Sequence, residues 1–443
     1  MGIATLVFFV VNFGLMFLAA TPMVFTVTTA AVTIHLLFGN LVNFGIDKMA
    51  QAFVAGAAGT NTGLTIILFM LAGDVMSQGK LTHKIFNIFA YFLGKKRGFM
   101  PILSIVTCMF YGAISGSGPA TTAAVAAMCY PVLVGLGYDK LFSAAILVSA
   151  GSLGMVIPPS LPVTGVAALT NGLDLIVLYK MAAIAGVAAG LMIILYTYFY
   201  CRRKGNGDQL KINAWVNALR ERGLSKVAKE SIWAILTPVI ILGSIFSGIA
   251  DTAQAAAIAL VYAIIVSVFV YKSITLADII PLCKKTLSAG APMLLMLSMA
   301  TVFSNVLNAL KINDTLTAIV QNANITPVVI MIVILLYQLV MGAIGAGSGV
   351  TVVIPLAFPL MMAAGIEPFT ACTAVVLMQA VGLVTPPIGL CLFVMTGMAK
   401  CDITDLVKPL LPYILIMTAV ALFLVLFPGV FTSITAGGFI PTP

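Results

Sequence analysis

The chain has 443 residues, of which 61% are hydrophobic and 8% charged, and it carries a formal net charge of +9. Roughly a quarter of an ordinary soluble domain is charged, so this composition excludes a soluble globular protein and points to an all-α polytopic membrane protein embedded in a lipid bilayer. The positive balance is no nucleic-acid footprint, because Lys80, Lys84, Lys95, Lys96 and Arg97 supply five of the 22 Lys and Arg and eight more lie between Arg202 and Lys229; clustered loop charge orients such a protein with those loops in the cytoplasm.

In chain order, MGIATLVFFVV lacks a basic n-region and a clear cleavage site, and it reads as a retained first helix. Roughly ten to twelve apolar segments follow that are long enough for about 30 Å of hydrocarbon. Asp74 lies near the cytoplasmic end of a helix, where pairing with Lys80 is expected. The tract GAISGSGPATT (112–122) sits between two apolar stretches too short to span separately, which predicts a re-entrant hairpin over about 100–134. After the turn GLGYDK, the segment from about 141 to 167 is interrupted at GSLGMVIPPSLP. Proline deletes a backbone donor inside a helix, so a discontinuous helix is expected there.

The same order recurs. At an offset of 228 residues Pro131 meets Pro359, Gly137 meets Gly365, Asp139 meets Glu367, Gly154 meets Gly382, and Pro158-Pro159 meets Pro386-Pro387. Coincident glycines and prolines argue for internal duplication better than apolar matches do. The expected division is a first repeat over 1–201, a basic cytoplasmic linker over 202–230, and a second repeat over 231–443. The second repeat then holds a hairpin at about 326–361, with the tract GAIGAGSGVTVV, and a broken helix at about 370–397. Between the copies, ADIIPLCKK resembles an amphipathic surface helix. Tracing crossings from the basic loops makes the two hairpins enter from opposite faces, which is the inverted-repeat plan of secondary transporters. That plan favours two crossings within Met1–Leu37, turning near Pro22.

Non-helical backbone at membrane depth must be buried or line a wet cavity, where its carbonyls suit a hard cation and its amides an anion. The candidate sites are therefore Ser115–Thr122, Gly345–Thr351, Gly151–Ser160 and Gly382–Gly389. The core offers hydroxyls, amides and backbone (Ser117, Thr121, Thr122, Asn305, Ser348, Thr351, Gln379, Thr385) and no evident proton relay, which favours Na+ over H+ as the coupling ion. Asp139 and Glu367 read as solvated turn residues, and Gln254 as part of a helix N-terminus begun by Asp251. His35 and His83 are too few and scattered for a metal site. Seven cysteines form no CxxC pair and read as buried hydrophobes. No Walker, GxSxG or HExxH pattern is present, so no enzyme is expected.

The stretches LFMLAGDVMSQGKL (68–81), KKRGFMPILSIVTCMFYGAISGSGPATTAA (95–124), GLGYDKLFSAAILVSAGSLGMVIPPS (135–160), LTPVIILGSIFSGIADTAQAAAIALVYAIIVSVFVYKSIT (236–275) and VGLVTPPIGLCLFVMTGMA (381–399) resemble the large membrane subunit of tripartite ATP-independent periplasmic (TRAP) transporters, the DctM-like family. The resemblance runs over nearly the whole chain. It implies an elevator-type, Na+-driven importer of a small organic anion, a C4-dicarboxylate or a sialic acid-like sugar acid, in the bacterial inner membrane. It also implies a small four-helix membrane subunit and a periplasmic substrate-binding protein as partners. Na+ is then expected at Ser115, Ser117, Gly154, Pro158, Gly345, Ser348, Gly382 and Thr385, and substrate at Gly116, Gly118, Thr121, Thr122, Gly347, Gly349 and Thr351. The chain departs from the family pattern at Thr121, where an acidic residue is common, at Gly345-Ala346, where an Asp-Pro pair is common, and at Thr252-Ala253-Gln254, in place of Pro-Thr-Glu. A stand-alone sodium-coupled anion carrier that needs no binding protein is the alternative reading.

Overall fold

The computed structural model describes residues 4, 6–7, 10–11, 23–38, 45–58, 62–170, 172–204, 207–322, 325–344 and 349–435, which form helices and no strands. Among them, six helices are long and apolar enough to cross a membrane, or seven if Thr62–Gln78 and Leu81–Leu93, bent by 63°, count as one span. This is fewer than the sequence suggests. Glycine tips and prolines cut the remaining apolar runs into pieces of 10–17 residues, each too short to span alone.

Those shorter pieces, together with Gly118–Gly135 from the six and the nine-residue Leu161–Leu169, form the two hairpins and the two broken helices. Phe99–Ser115 and Gly118–Gly135 are the arms of the first hairpin, hinged at Gly116, whose φ of 63° suits glycine. Lys140–Ser152, a 3-10 turn at Leu153–Met155 and Leu161–Leu169 make the first broken helix. Pro327–Ile344 and Gly349–Ala363 are the described arms of the second hairpin, followed by the broken pair Pro368–Gly382 and Leu390–Ala399. Both Pro-Pro bonds, 158-159 and 386-387, are cis.

Contacts between the halves are reciprocal. Leu390–Ala399 packs on Gly118–Gly135, and Leu161–Leu169 packs on Gly349–Ala363; Ile403–Leu426 packs on Lys140–Ser152, and Leu175–Lys204 packs on Pro368–Gly382. Outside that module, Thr252–Ile264 lies on Thr62–Gln78 while Met23–Phe38 lies on Leu276–Ala309. Exchange of this kind is what a twofold relation between two copies produces. The apolar faces turned away from these contacts suit lipid: Val187, Leu191, Leu195 and Phe199 recur every four residues on one exposed stripe of Leu175–Lys204.

One expectation changes. ADIIPLCKK is no separate surface helix but the start of the continuous helix Leu276–Ala309. The basic connection contains a helix, Gln209–Glu221, capped by Asp208, whose Trp215 ring meets Phe86 edge-on at 6.0 Å. Arg220 Nε donates to Tyr91 O at 3.0 Å, tying that helix to Leu81–Leu93. Asp139 is exposed and Glu367 half-buried just after their turns, and each also caps its broken helix: Asp139 accepts from Phe142 N, and Glu367 from Phe369 N and Thr370 N. Gln254 does close a capping box with Asp251, as its position suggests.

Candidate functional site

The first hairpin tip and the first break meet because both carry glycine where another residue would carry Cβ. A Cβ on Gly112 would lie 2.6 Å from Gly154 Cα, and one on Gly154 would lie 2.2 Å from Thr121 Oγ1. Thr122 Oγ1 fills the space beside Gly151 in the same way. The tip then joins the break through backbone, with Leu161 N donating to Gly116 O at 3.2 Å. Every residue from Gly151 to Ser160 is buried. Ser160 Oγ turns back on Met155 O and accepts from Val163 N, so it caps the second half of the broken helix.

At this junction Ser115 Oγ lies 2.7 Å from Thr121 Oγ1 and 3.3 Å from Ser117 O. Two hydroxyl oxygens and one carbonyl oxygen thus converge beside the broken backbone. A cavity of about 520 Å³ opens at the tip, lined by Ser115, Gly116, Ser117 and Gly118, by Thr351, Leu383 and Leu390 from the second half, and by one face each of Thr62–Gln78 and Leu276–Ala309.

The second junction repeats the glycine contact. A Cβ on Gly382 would lie 2.6 Å from the carbonyl carbon of Gly342 and 2.7 Å from its Cα. Its polar centre is an amide pair instead of hydroxyls: the fully buried Gln379 accepts from Val350 N at 3.0 Å and from Gln338 Nε2 at 3.4 Å. Thr385 Oγ1 donates to Val381 O at 2.7 Å, which occupies it with its own helix end.

Of the expected site residues, Ser115, Gly116, Ser117, Gly118 and Thr351 line the cavity. Thr121 and Thr122 turn away from it toward Gly154 and Gly151, and Pro158 lies within the buried break. Gly349 abuts the Gln338 amide, and Gly382 and Thr385 belong to the second junction. Gly345, Gly347 and Ser348 lie outside the described residues. Asn305 is exposed on the scaffold and joins neither junction.

Sequence reasoning missed the charge in the cavity wall. Asp74 does not pair with Lys80; its Oδ1 lies 3.0 Å from Lys285 Nζ, and its Oδ2 accepts from Thr286 Oγ1 at 2.6 Å. Both charged residues line the cavity. Spacing along the chain carries no signal for a contact 211 residues apart.

The family model described as "Tripartite ATP-independent periplasmic transporter, DctM component" matches residues 6–430. The chain is 33% identical over 408 residues to the C4-dicarboxylate TRAP transporter large permease protein DctM of Vibrio cholerae, covering 87% of this chain and 88% of that one. It is 32% identical over 425 residues to the isethionate TRAP transporter permease protein DctMQ of Oleidesulfovibrio alaskensis, covering 94% of this chain and 64% of that protein's length. Among solved structures, the Alcanivorax borkumensis YdaH transporter superposes with a TM-score of 0.61 at 16% identity, over 88% of this chain and 90% of that one, a likeness of fold alone. With helical hairpins and broken helices in place and the match running almost end to end, the chain belongs to the DctM family of TRAP transporter large permease subunits, and is a transport component rather than an enzyme.

Proposed function

We propose that this permease imports a small organic anion across the bacterial inner membrane by Na+ symport, working with a small four-helix membrane subunit and receiving its cargo from a periplasmic binding protein. The observation that carries the reading is the first junction. Ser115, Ser117 and Thr121 set hydroxyl and carbonyl oxygens against the broken backbone at Gly154–Pro158, a donor set suited to a hard monovalent cation. At the same tip, Gly118 begins a helix whose N-terminal amides and dipole favour an anion in the cavity. Cation and anion would thus load at one short tip, which gives their coupling a physical route. By the repeat, Gly345, Ser348, Gly382 and Thr385 would supply a second Na+ site, and Gly347, Gly349 and Thr351 the second wall for substrate.

C4-dicarboxylates lead the substrate classes, with sulfonates and sugar acids next; the named cargoes of the two relatives, C4-dicarboxylate and isethionate, are both small acids. In the elevator scheme, the interlocked hairpin module slides as one body against Thr62–Gln78 and Leu276–Ala309, carrying its own wall of the cavity past theirs. Uptake by cells expressing the full system should collapse when Na+ is replaced by choline and persist with a protonophore while a Na+ gradient is held. The reverse pattern would sink the coupling claim.

A further inference from the structure

Two scaffold helices each turn one face toward the cavity. Lys285, Ala289, Pro292, Met293 and Met296 recur at helical spacing on Leu276–Ala309, opposite Asp74 and its neighbours on Thr62–Gln78. Among the described residues of the lining, Asp74 and Lys285 are the only charged ones. They face each other at 3.0 Å, but they are not equivalent. Asp74 is engaged through both oxygens, by Lys285 and by Thr286, and its side chain is 22% exposed. Lys285 is 64% exposed, and its ammonium has three donors, one of which points at Asp74.

The pair puts charge into a cavity wall that is otherwise mostly apolar, within reach of whatever enters the cavity. We propose that Lys285 is the cation that receives the substrate's acid group on the scaffold side of the cavity, and that Asp74 holds the ammonium there when no anion is bound. This rests on the organic-anion reading above. The first hairpin tip offers amides and hydroxyls but no charge, so Lys285 supplies the full positive charge that separates acids from neutral solutes of the same size. The neighbouring Met293, Met296 and Ala289 strengthen such a contact by lowering the local polarity. Asp74 also limits it, because the arriving anion must displace Asp74 from the ammonium and then sits near that carboxylate. A carrier needs this balance: attraction enough to load, competition enough to release.

The test is uptake of radiolabelled succinate and of isethionate by cells expressing the full chain with its partners, normalised to membrane abundance, for Lys285→Ala, Lys285→Gln, Lys285→Arg, Asp74→Asn and the Asp74→Ala/Lys285→Ala double variant. Loss of one charge-assisted contact predicts a KM about tenfold higher in Lys285→Ala and Lys285→Gln, largely restored in Lys285→Arg. Asp74→Asn should move the other way, lowering KM and slowing turnover, because the competitor is gone. The double variant should resemble Lys285→Ala. Equal losses in Lys285→Gln and Asp74→Asn, with recovery in the double variant, would mark the pair as a structural latch and overturn the proposal. Unchanged KM in Lys285→Gln would overturn it as well. A wild type that takes up a neutral solute and neither acid would instead refute the anion reading itself.

Discussion

The two hairpin–break junctions share a backbone and differ in chemistry. Both seat a break glycine directly on a hairpin glycine, Gly154 on Gly112 and Gly382 on Gly342. The first fills its centre with the hydroxyls of Ser115 and Thr121, and its break is buried throughout. The second centres on the amides of Gln338 and Gln379, and its break is open at Pro387 and Ile388, the latter 42% exposed. Duplication therefore preserved what the backbone needs, room for close approach, while the side chains around it diverged. The first junction gathers hydroxyl and carbonyl oxygens, whereas the second locks its hairpin arm by a buried amide bridge.

The sharpest way to break the shared part is to add a methyl group. Gly382→Ala should be the most damaging change, costing about 2–3 kcal/mol or blocking accumulation, because its Cβ meets Gly342 backbone that cannot turn aside. Gly154→Ala should cost less, about 1–2 kcal/mol, since the nearest obstacle is the Thr121 side chain. The unfolding midpoint of purified protein in detergent would rank them, and the reverse order would remove the basis of the comparison.

Breaking the divergent part should have a smaller effect. Gln379→Leu strands the buried Val350 N–H and should destabilise by about 1–3 kcal/mol. Gln338→Met should do less, because its amide contact is 3.4 Å long and its buried Oε1 has no partner among the described residues. Similar losses in the two variants, read by the same melting assay, would show that the bridge is not centred on Gln379. Least of all should be the caps of the two broken helices. Glu367→Ala and Asp139→Ala should each cost about 1 kcal/mol, with Glu367 the larger since it accepts from two backbone amides and the Thr370 hydroxyl.

What was legible in the sequence was local. Gly154, Gly382 and the two Pro-Pro pairs announce breaks because glycine and proline act on the backbone wherever they stand, and the repeated order made both hairpins visible. What was hidden depended on partners far along the chain. Asp74 was assigned to Lys80, six residues away, because helix ends usually satisfy their charges nearby; the fold instead brings Lys285 across from another helix. Thr121 and Thr122 stand among cavity residues in the sequence, yet helical rotation points them at Gly154 and Gly151. Hydropathy also overcounted spans, since it registers apolar length and not the chain reversal at Gly116.

The reciprocal packing has a consequence for how the chain can be divided. The first hairpin is covered by a helix from the second half, and the second hairpin by a helix from the first, so each half finishes the other's interior. Energetically the two halves behave as protomers of an obligate dimer whose linkage happens to be covalent. A chain severed near Gly207 should still assemble when both fragments are made together, whereas either fragment alone should be degraded as an orphan subunit.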